Sequence, residues 1–272
     1  MDADSAPRVI AHRGFAGAAP ENTVPAVEYA CQHDETDMVE VDAVPTADGT
    51  VVCFHDPQLH ETDDSRGITD ADGTVWETAT DTVLDARVLG THATVPTLDA
   101  VLAAIPEGVG VNVELKHPGR AVAPFADALA LADPTPARER WQPFVADVLA
   151  LLDDFDRRVL LSSFYEGALA AVDAAGGYPV AVITGESITD GLTTAARYDA
   201  AAIHPHWHHV SGATERTVVE TAHERGLAVN AWTVDTWHRA AALADAGVDG
   251  VIADYPELGA WRDRHPAADD GR

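Results

Sequence analysis

The feature that most constrains the fold is a regular alternation, along nearly the whole chain, of short apolar runs with Ala-rich amphipathic stretches. This alternation is typical of β-α units that build a parallel sheet. We predict nine strands, which are Arg8–His12, Met38–Ala43, Thr50–His55, Gly110–Lys116, Val159–Phe164, Val180–Thr184, Ala200–His204, Ala228–Thr233 and Gly250–Asp254. The helices predicted between them include Asn22–His33, Thr97–Ile105, Phe144–Phe155, Glu166–Ala175, Thr214–Arg225 and Thr236–Ala246.

One of these strands cannot belong to the parallel set. Only the turn Thr46-Ala47-Asp48-Gly49 separates the second strand from the third. Parallel neighbours need a crossover of a dozen or more residues, so these two strands are predicted to form an antiparallel hairpin. The remaining eight strands predict an α/β fold, the (β/α)8 TIM barrel, with its active site at the carboxyl ends of the strands. An open doubly wound sheet is the alternative, but the Gly-rich loop expected after its first strand is weak at His12–Gly17.

The chain length and two long segments bear on domain organisation. A chain of 272 residues fits one barrel, so residues 1–272 are predicted to form a single domain. The Asp-, Thr- and Gly-rich segment Pro57–Val95 is too long for a simple loop and predicts a small cap insertion, residues 57–95, after the second strand. The segment His117–Pro143 contains five prolines. There we expect turns with an Ala-rich helix between the first two, as an extension of the cap.

The charge balance excludes several classes of partner. The chain has 45 acidic residues against 17 basic ones, a net charge of −28, and a single lysine, Lys116. Such a surface repels nucleic acids and anionic membranes, so neither nucleic-acid binding nor stable membrane association is expected. It also suggests a halophilic origin, because multimolar salt screens self-repulsion, although an ordinary acidic cytosolic protein is the alternative. Lacking a long apolar stretch, and with a strand beginning at Arg8, the protein is predicted to be cytoplasmic.

Two predicted barrel strands carry charged residues at alternate positions. Glu40 and Asp42 lie two residues apart on one strand, as do Glu114 and Lys116 on the next, so each pair shares the face that points into the barrel. Carboxylates that converge there raise one another's pKa unless a counter-charge is present. All-oxygen ligation favours Mg²⁺ or Ca²⁺, with Mn²⁺ as a further option, over zinc. We therefore predict that Glu40, Asp42 and Glu114 bind one divalent cation; ion pairs with Arg13 or Lys116 are the alternative.

Two histidines are predicted to face the same site. His12 ends the first strand, and the hairpin returns His55 to the same mouth of the barrel. Two histidines beside a metal and two cations suit phosphoryl chemistry, with one taking a proton from the nucleophile and the other protonating the leaving oxygen. We predict that both are catalytic.

Motifs spread over the chain match a known family. They are AHRG at 11–14, PENT at 20–23, EVD at 40–42, FHD at 54–56, VPTL at 95–98, VELK at 113–116, SSF at 162–164, WTV at 232–234 and GVDGVIADYP at 247–256. From Val9 to about Leu258 the chain resembles the glycerophosphodiester phosphodiesterases. The resemblance implies a barrel with a small insertion after the second strand that hydrolyses glycerophosphodiesters, its small-molecule substrates, to glycerol phosphate and an alcohol.

The resemblance also implies roles for individual residues. It implies that His12 and His55 are the general acid and base, that Arg13 and Lys116 bind phosphate, that Glu40, Asp42 and Glu114 hold the metal, and that Glu21 and Asn22 belong to a first-loop network. The nucleophile stays open between a water held by the metal and the glycerol 2-hydroxyl, which would give a cyclic phosphate intermediate.

Several aromatic and histidine residues are further candidates. Trp232 shares a strand face with Asn230, so it is expected to point inward and pack on the glycerol carbons, or to plug the barrel. Phe164 is a candidate for the same wall. The histidine-rich segment His204–His209 is predicted to line the pocket, with a plain loop or a second metal site as alternatives. Residues Leu59–Thr62 carry an acidic residue where the family pattern leads us to expect an arginine, through surface acidification or a changed cap preference.

Three other functions are compatible with parts of the sequence. A Schiff-base aldolase could use Lys116 as its amine, although the neighbouring carboxylates would keep that amine protonated. A non-catalytic barrel that senses glycerophosphodiesters would have no reason to retain both histidines and all three carboxylates. A related phosphodiesterase acting on lysolipid or inositol head groups is the closest alternative, and it would need an apolar or cationic rim. The leaving alcohol, the physiological metal and the oligomeric state stay open.

Overall fold

The computed structural model describes residues 6–119, 129–210 and 217–258. The strands are β1 (Arg8–Ala11), β2 (Thr36–Pro45), β3 (Val51–Cys53), β4 (Glu61–Thr62), β5 (Ser65–Arg66), β6 (Gly110–Leu115), β7 (Val159–Ser163), β8 (Val180–Thr184), β9 (Ala202–Pro205), β10 (Ala228–Val234) and β11 (Gly250–Ala253). The helices are α1 (Val24–Ala30), α2 (Thr80–Asp85), α3 (Leu98–Ala104), α4 (Thr135–Leu152), α5 (Glu166–Ala175), α6 (Ile188–Arg197), α7 (Val218–His223) and α8 (Trp237–Asp245).

Eight of the strands close into a parallel barrel. Their order around it is β1, β2, β6, β7, β8, β9, β10 and β11, and β1 pairs with both β2 and β11. Strand β3 instead pairs antiparallel with β2, with Ala43 opposite Cys53 and Val44 opposite Val52. The turn between them places Gly49 at a φ of 84°, a left-handed conformation that glycine adopts without strain. The predicted barrel and the predicted hairpin are therefore both confirmed.

The period of two along each strand divides the core into layers. On β2 and β6 the outward residues Val39, Val41, Val113 and Leu115 are fully buried beneath the helices. The inward residues at the amino ends of the strands form an apolar floor: Ile10, Met38, Leu160, Ala181, Ala202 and Ile252. Polar residues take over toward the carboxyl ends, so the barrel is closed below and carries its charged groups at the mouth.

Helix α4 corrects one sequence prediction. We expected turns up to Pro143 and a helix starting at Phe144, but α4 starts at Thr135 and contains Pro143. Pro136 fits the first turn, where its missing N–H has no helical acceptor to lose. Pro143 lies inside the helix, and the helix continues because Trp141 and its apolar neighbours are buried against α5. The Ala-rich helix expected earlier in this segment falls on residues 120–128, outside the described residues.

Other helices agree closely with the sequence, with shifts at the ends. Helix α1 begins one residue after Thr23, whose side chain accepts a hydrogen bond from the backbone N–H of Ala26 as an N-cap. The predicted helix Thr214–Arg225 is represented by α7, and residues 214–216 lie outside the described part of the chain.

The segment 57–95 has its own apolar cluster. It contains β4, β5, α2 and a 3₁₀ turn at Val75–Glu77. Its cluster also includes residues of the hairpin and consists of Val44, Val52, Phe54, Leu59, Ile68, Val75, Val83, Ala86, Val88 and Val95. This packing against the hairpin supports the cap insertion, whose boundaries and the single-domain assignment stay predictions.

None of the helices among the described residues is long and apolar enough to cross a membrane.

Candidate active site

A cavity of about 230 Å³ opens at the carboxyl ends of the barrel strands. Its walls bring together side chains from six barrel strands, from the residues that directly follow the other two, β1 and β7, and from the hairpin. They are His12, Arg13, Glu40, His55, Asn112, Glu114, Lys116, Phe164, Ile183, His204, Trp232, Thr233 and Ile252. Seven of the eight predicted site residues line this cavity, and the eighth, Asp42, lies buried beside it.

The three predicted metal ligands come together. One carboxylate oxygen from each of Glu40, Asp42 and Glu114 lies within 4.8 Å of the others. Glu40 and Asp42 are 3% and 0% exposed, yet Glu40 Oε1 has no hydrogen-bond partner among the described residues, and Asp42 Oδ1 has only an ion-pair contact with Lys116 Nζ at 3.5 Å. Buried acceptors without a donor are costly, and a hard divalent cation is the group that an all-oxygen set of this kind fits. The residues present therefore fit the predicted cation.

The electrostatics of this cluster divide between its two buried members. Burial, with the charges of Asp42 and Glu114, raises the pKa of Glu40 well above its usual value. Asp42 behaves oppositely, because the charges of Arg13 and Lys116 outweigh burial and lower its pKa. An additional positive charge between the carboxylates would relieve the repulsion that Glu40 experiences.

Two cations border the cluster. Arg13 Nε lies 3.0 Å from Asp42 Oδ2, and Lys116 Nζ lies 2.8 Å from Glu114 Oε1 and 3.5 Å from Asp42 Oδ1. Burial opposes their charges, but the surrounding carboxylates raise the pKa of both Arg13 and Lys116. Both side chains therefore carry a positive charge at neutral pH.

The loop after β1 fixes the first of these cations. Arg13 has a φ of 51°, in the left-handed region, and its backbone N–H donates to Glu40 Oε2 at 2.9 Å. Its guanidinium donates to Glu21 at 2.8 Å. The side-chain amide of Asn22 donates to Asp42 Oδ2 at 2.7 Å, and Asn22 Oδ1 accepts from the backbone N–H of Asp42 at 3.0 Å. The first-loop network expected for Glu21 and Asn22 is thus built around Arg13 and Asp42.

Arg66 is a residue that sequence reasoning missed. It lies on β5 in the segment 57–95, and its two terminal nitrogens donate to both oxygens of Glu21 at 2.7 Å. The same guanidinium donates to Asp56, whose Oδ1 lies 2.7 Å from His55 Nδ1. Arg66 therefore connects the 57–95 segment to the first loop and to His55.

His12 is held by a second residue that sequence reasoning missed. Its Nδ1 lies 2.6 Å from Asp254 Oδ1, just beyond β11, and its Nε2 lies 4.0 Å from Glu40 Oε2. Each predicted catalytic histidine thus has its Nδ1 on a carboxylate, while its Nε2 is left for other contacts. The ADYP motif contains Asp254, but nothing in that motif indicated its partner.

The aromatic wall and the histidine-rich segment lie on the far side of the cavity. Trp232 points inward as expected, its Nε1 donates to the carbonyl of His204, and Phe164 packs on it edge to face at 5.3 Å. His204 is buried against Asn230, and burial lowers its pKa to about 3. The rings of His206 and His208 touch at their Nδ1 atoms.

The segment His204–His209 does not form a second cluster of three metal-binding side chains. Within the described ranges, three or more ligand atoms come together only at Glu40, Asp42 and Glu114. His204 lines the cavity, in line with the predicted pocket role of the segment.

Carboxylate-bound histidines beside an acidic cluster and two cations, at the mouth of a parallel barrel, are features of enzymes that act on phosphate esters. Comparison with known proteins gives the particular class. The sequence profile of the glycerophosphoryl diester phosphodiesterase family matches residues 12–258, and the chain belongs to this family.

Individual relatives agree. The chain is 28% identical to a glycerophosphodiester phosphodiesterase of Bacillus altitudinis, over 92% of this chain and 95% of that protein. It is similar to the structure of an Oleispira antarctica phosphodiesterase in complex with the product sn-glycerol-3-phosphate, with 26% identity, a TM-score of 0.75, and 95% and 97% of the two chains covered. The Thermotoga maritima glycerophosphodiester phosphodiesterase shares the fold, with a TM-score of 0.69 at 19% identity over 96% of this chain and 99% of that one.

Proposed function

We propose that the protein hydrolyses glycerophosphodiesters to glycerol phosphate and an alcohol, with one divalent cation and with His12 and His55 as the proton-transfer pair. The observation that carries this proposal is the convergence of both histidines and the acidic cluster on one cavity. The solved complex of the Oleispira antarctica relative with sn-glycerol-3-phosphate supports a small glycerol-containing substrate.

Glu40, Asp42 and Glu114 would hold the cation, Mg²⁺ or Ca²⁺ in the first instance and Mn²⁺ as a further option. When bound, it supplies Lewis-acid stabilisation of the phosphate oxygens. Arg13 and Lys116 add two fixed positive charges beside the same oxygens. Because both are already held by carboxylates, they need no reorganisation as negative charge develops on the phosphate in the transition state.

The carboxylates bound to the histidines suit them to move protons. With Nδ1–H donated to Asp254, the Nε2 atom of His12 is left to take or give a proton. Asp56 holds Nδ1 of His55 in the same way. One imidazole removes the proton of the attacking hydroxyl or water, and the other protonates the leaving alcohol.

The aromatic wall orients the rest of the substrate. Trp232 and Phe164 line the same cavity as both histidines, and their faces suit the carbon atoms of a glycerol unit. The amide of Asn112, whose Oδ1 has no hydrogen-bond partner among the described residues, is placed to accept from a glycerol hydroxyl.

The aldolase alternative is disfavoured by the charge of Lys116. Glu114 and Asp42 outweigh burial and raise the pKa of this amine, whereas a Schiff base requires the neutral form.

The lysolipid alternative has one observation in its favour, since Trp237 and Tyr255 are 47% and 41% exposed and follow barrel strands β10 and β11 at the mouth. We also propose that the protein is cytoplasmic and adapted to high salt.

The experiment that tests the function uses metal-stripped protein assayed in high salt. Glycerophosphocholine, glycerophosphoethanolamine, glycerophosphoglycerol and a micellar lysophosphatidylcholine are each supplied, and Mg²⁺, Ca²⁺ or Mn²⁺ is then restored. We expect glycerol phosphate to be released from the glycerophosphodiesters only after a cation is added, and not by a His12→Ala variant made in parallel. Absence of glycerol phosphate under every condition would overturn the proposal, and preferential cleavage of the micellar lipid would support the lysolipid alternative.

A further inference from the structure

A second cavity, of about 260 Å³, adjoins the proposed active site. Four residues line both cavities: His55, Glu114, Lys116 and Phe164. The remaining walls of the second cavity come from the hairpin, the 57–95 segment and the segments that follow β6 and β7, and they are Val44, Pro57, Trp76, His117 and Tyr165. A phosphate beside Lys116 and His55 would therefore border both spaces, so the two ester arms of a substrate can occupy one cavity each.

The first cavity is suited to the glycerol arm, which leaves the second for the alcohol. Trp232 and the amide of Asn112 line only the first cavity, where they offer an aromatic face and a hydrogen-bond acceptor. Neither contributes to the second cavity. His55 borders the second cavity, so a proton donor lies beside the oxygen of an alcohol bound there.

The walls of the second cavity are predominantly aromatic and aliphatic. Trp76, from the 3₁₀ turn of the 57–95 segment, stacks on His117 with ring centres 3.7 Å apart and an angle of 11° between the rings. Phe164 already faces one cation, since Lys116 Nζ lies 5.7 Å from its ring centre. Val44 and Pro57 add apolar surface.

We propose that this second cavity is the leaving-alcohol subsite and that it selects a quaternary ammonium alcohol of the choline type; this inference rests on the proposed function. A trimethylammonium group has no N–H donor, so it loses no hydrogen bond on entering aromatic walls and gains attraction to the ring faces. A primary ammonium or a polyol would lose hydrogen bonds to water that Val44, Pro57 and the ring faces cannot replace. The polar groups that line this cavity, His55, Glu114 and Lys116, also border the first cavity and are assigned to the phosphate and the cation.

The overall charge favours the same class of substrate. With a net charge of −28, the protein repels a diester of net negative charge, such as glycerophosphoglycerol, whereas a choline diester is a zwitterion of zero net charge and escapes this repulsion. This contribution weakens with salt, whereas the contact with the aromatic rings is short-ranged and persists. The selectivity should therefore survive in concentrated KCl.

The test compares kcat/KM for glycerophosphocholine and glycerophosphoglycerol in the wild type, in Trp76→Leu and in Tyr178→Leu. Tyr178 is the matched control because it is a partly buried aromatic residue just before β8, at the amino end of the barrel, and lines neither cavity. We expect the wild type and the control to prefer the choline diester by roughly tenfold, the size of a desolvated cation–π contact. Trp76→Leu should lose that preference and keep its activity on the glycerol diester.

Trp76 also packs against the apolar cluster of the 57–95 segment, so Trp76→Phe, which keeps a ring there, is included. This variant should retain most of the preference. A second readout is product inhibition by choline and by its uncharged isostere, 3,3-dimethylbutan-1-ol. Choline should inhibit the wild type more strongly than the isostere does, whereas the two alcohols should inhibit Trp76→Leu about equally.

The two proposals fail differently. Hydrolysis of both diesters at equal efficiency, unaffected by Trp76→Leu, or equal inhibition of the wild type by the two alcohols would overturn the subsite and leave the proposed function standing. Failure to hydrolyse any diester would overturn the proposed function, and the subsite with it.

Discussion

The Nδ1 atom of His12 lies 2.6 Å from Oδ1 of Asp254, although the two residues are 242 positions apart in the sequence. Strand β1 precedes His12 and β11 precedes Asp254, and these strands pair in parallel with Ala11 opposite Ala253. The contact therefore exists only when the first and last strands of the barrel meet. The pairing of β1 with β11 that closes the barrel therefore also orients His12, a proposed catalytic group.

Asp254→Asn is expected to lower kcat by about 10- to 100-fold with little change in KM, at the lower end of what general acid–base groups contribute. An amide at this position can donate as well as accept, so it no longer fixes which ring nitrogen of His12 carries the proton, while substrate contacts are unchanged. Steady-state kinetics measure the split between the two constants. Asp235→Asn is the control, because Asp235 is a half-exposed carboxylate paired only locally with Arg239. An unchanged kcat in Asp254→Asn would count against the orienting role.

His12→Ala and His55→Ala are each expected to reduce turnover by orders of magnitude, within the range of about 10²- to 10⁴-fold for lost proton transfer. Neither imidazole belongs to the acidic cluster, so affinity for the divalent cation should stay within a few-fold of the wild type. Calorimetric titration with Mn²⁺ measures the affinity, and release of glycerol phosphate measures turnover. Near wild-type turnover in either variant would remove that histidine from the mechanism.

Removing the carboxylate of Glu40 and removing that of Asp42 should change the stability of the metal-free protein in opposite directions. The folded-state pKa of Glu40 is raised, so its ionised form destabilises the fold at neutral pH, a penalty that disappears as pH falls. Asp42 has a lowered pKa, so its charge stabilises the fold at neutral pH and this contribution is lost on acidification. Without metal at pH 7, Glu40→Gln should therefore melt at or above the wild-type temperature, whereas Asp42→Asn should melt below it.

Adding cation should reverse the order for Glu40. Ligand binding to the folded state raises the melting temperature of the wild type, whereas Glu40→Gln, lacking one ligand, should respond much less. Thermal melts with chelator and with Mg²⁺ or Ca²⁺ give both comparisons. A chelator-treated Glu40→Gln that is markedly less stable than the wild type would contradict the assigned electrostatics.

Lys116→Arg is expected to lower kcat/KM by about tenfold or more. The ammonium fits as a compact charge between Glu114 and Asp42, with Phe164 beneath it, whereas a planar guanidinium is larger and directs its donors differently. Melting curves should stay close to wild type because both side chains are cationic. Borohydride treatment with a carbonyl substrate should give no covalent adduct, since an adduct at this lysine would favour the aldolase alternative.

The parts of the site that the sequence predicted are those fixed by local geometry. Glu40 and Asp42 could be assigned to the barrel interior because a spacing of two on a strand selects one face, and the same rule covered Glu114 and Lys116. The hairpin followed from the four residues available for its turn. These inferences needed no knowledge of distant parts of the chain.

The parts that were missed depend on tertiary packing. Arg66 reaches Glu21 across 45 positions, and no local pattern indicates that a cap residue will contact the first loop. The cavity beside Trp76 and His117 likewise forms only where the cap meets the end of β6. The predicted helix start at Phe144 was wrong because the local preference of Pro143 to end a helix is overridden by the buried face of α4.

The charge of −28 leads to a last prediction, on salt. Screening shortens from about 10 Å at 0.1 M to about 3 Å at 1 M, so repulsion among surface carboxylates should destabilise the fold in dilute buffer and fade as KCl is added. The urea midpoint should rise steeply between these concentrations. The double variant Asp63→Asn, Asp64→Asn removes two neighbouring exposed charges on the 57–95 segment and should flatten this rise while leaving stability at 1 M KCl nearly unchanged. Sucrose at matched osmolarity serves as the control, and a midpoint that rises equally in sucrose would assign the effect to exclusion of solute rather than to screening of charge.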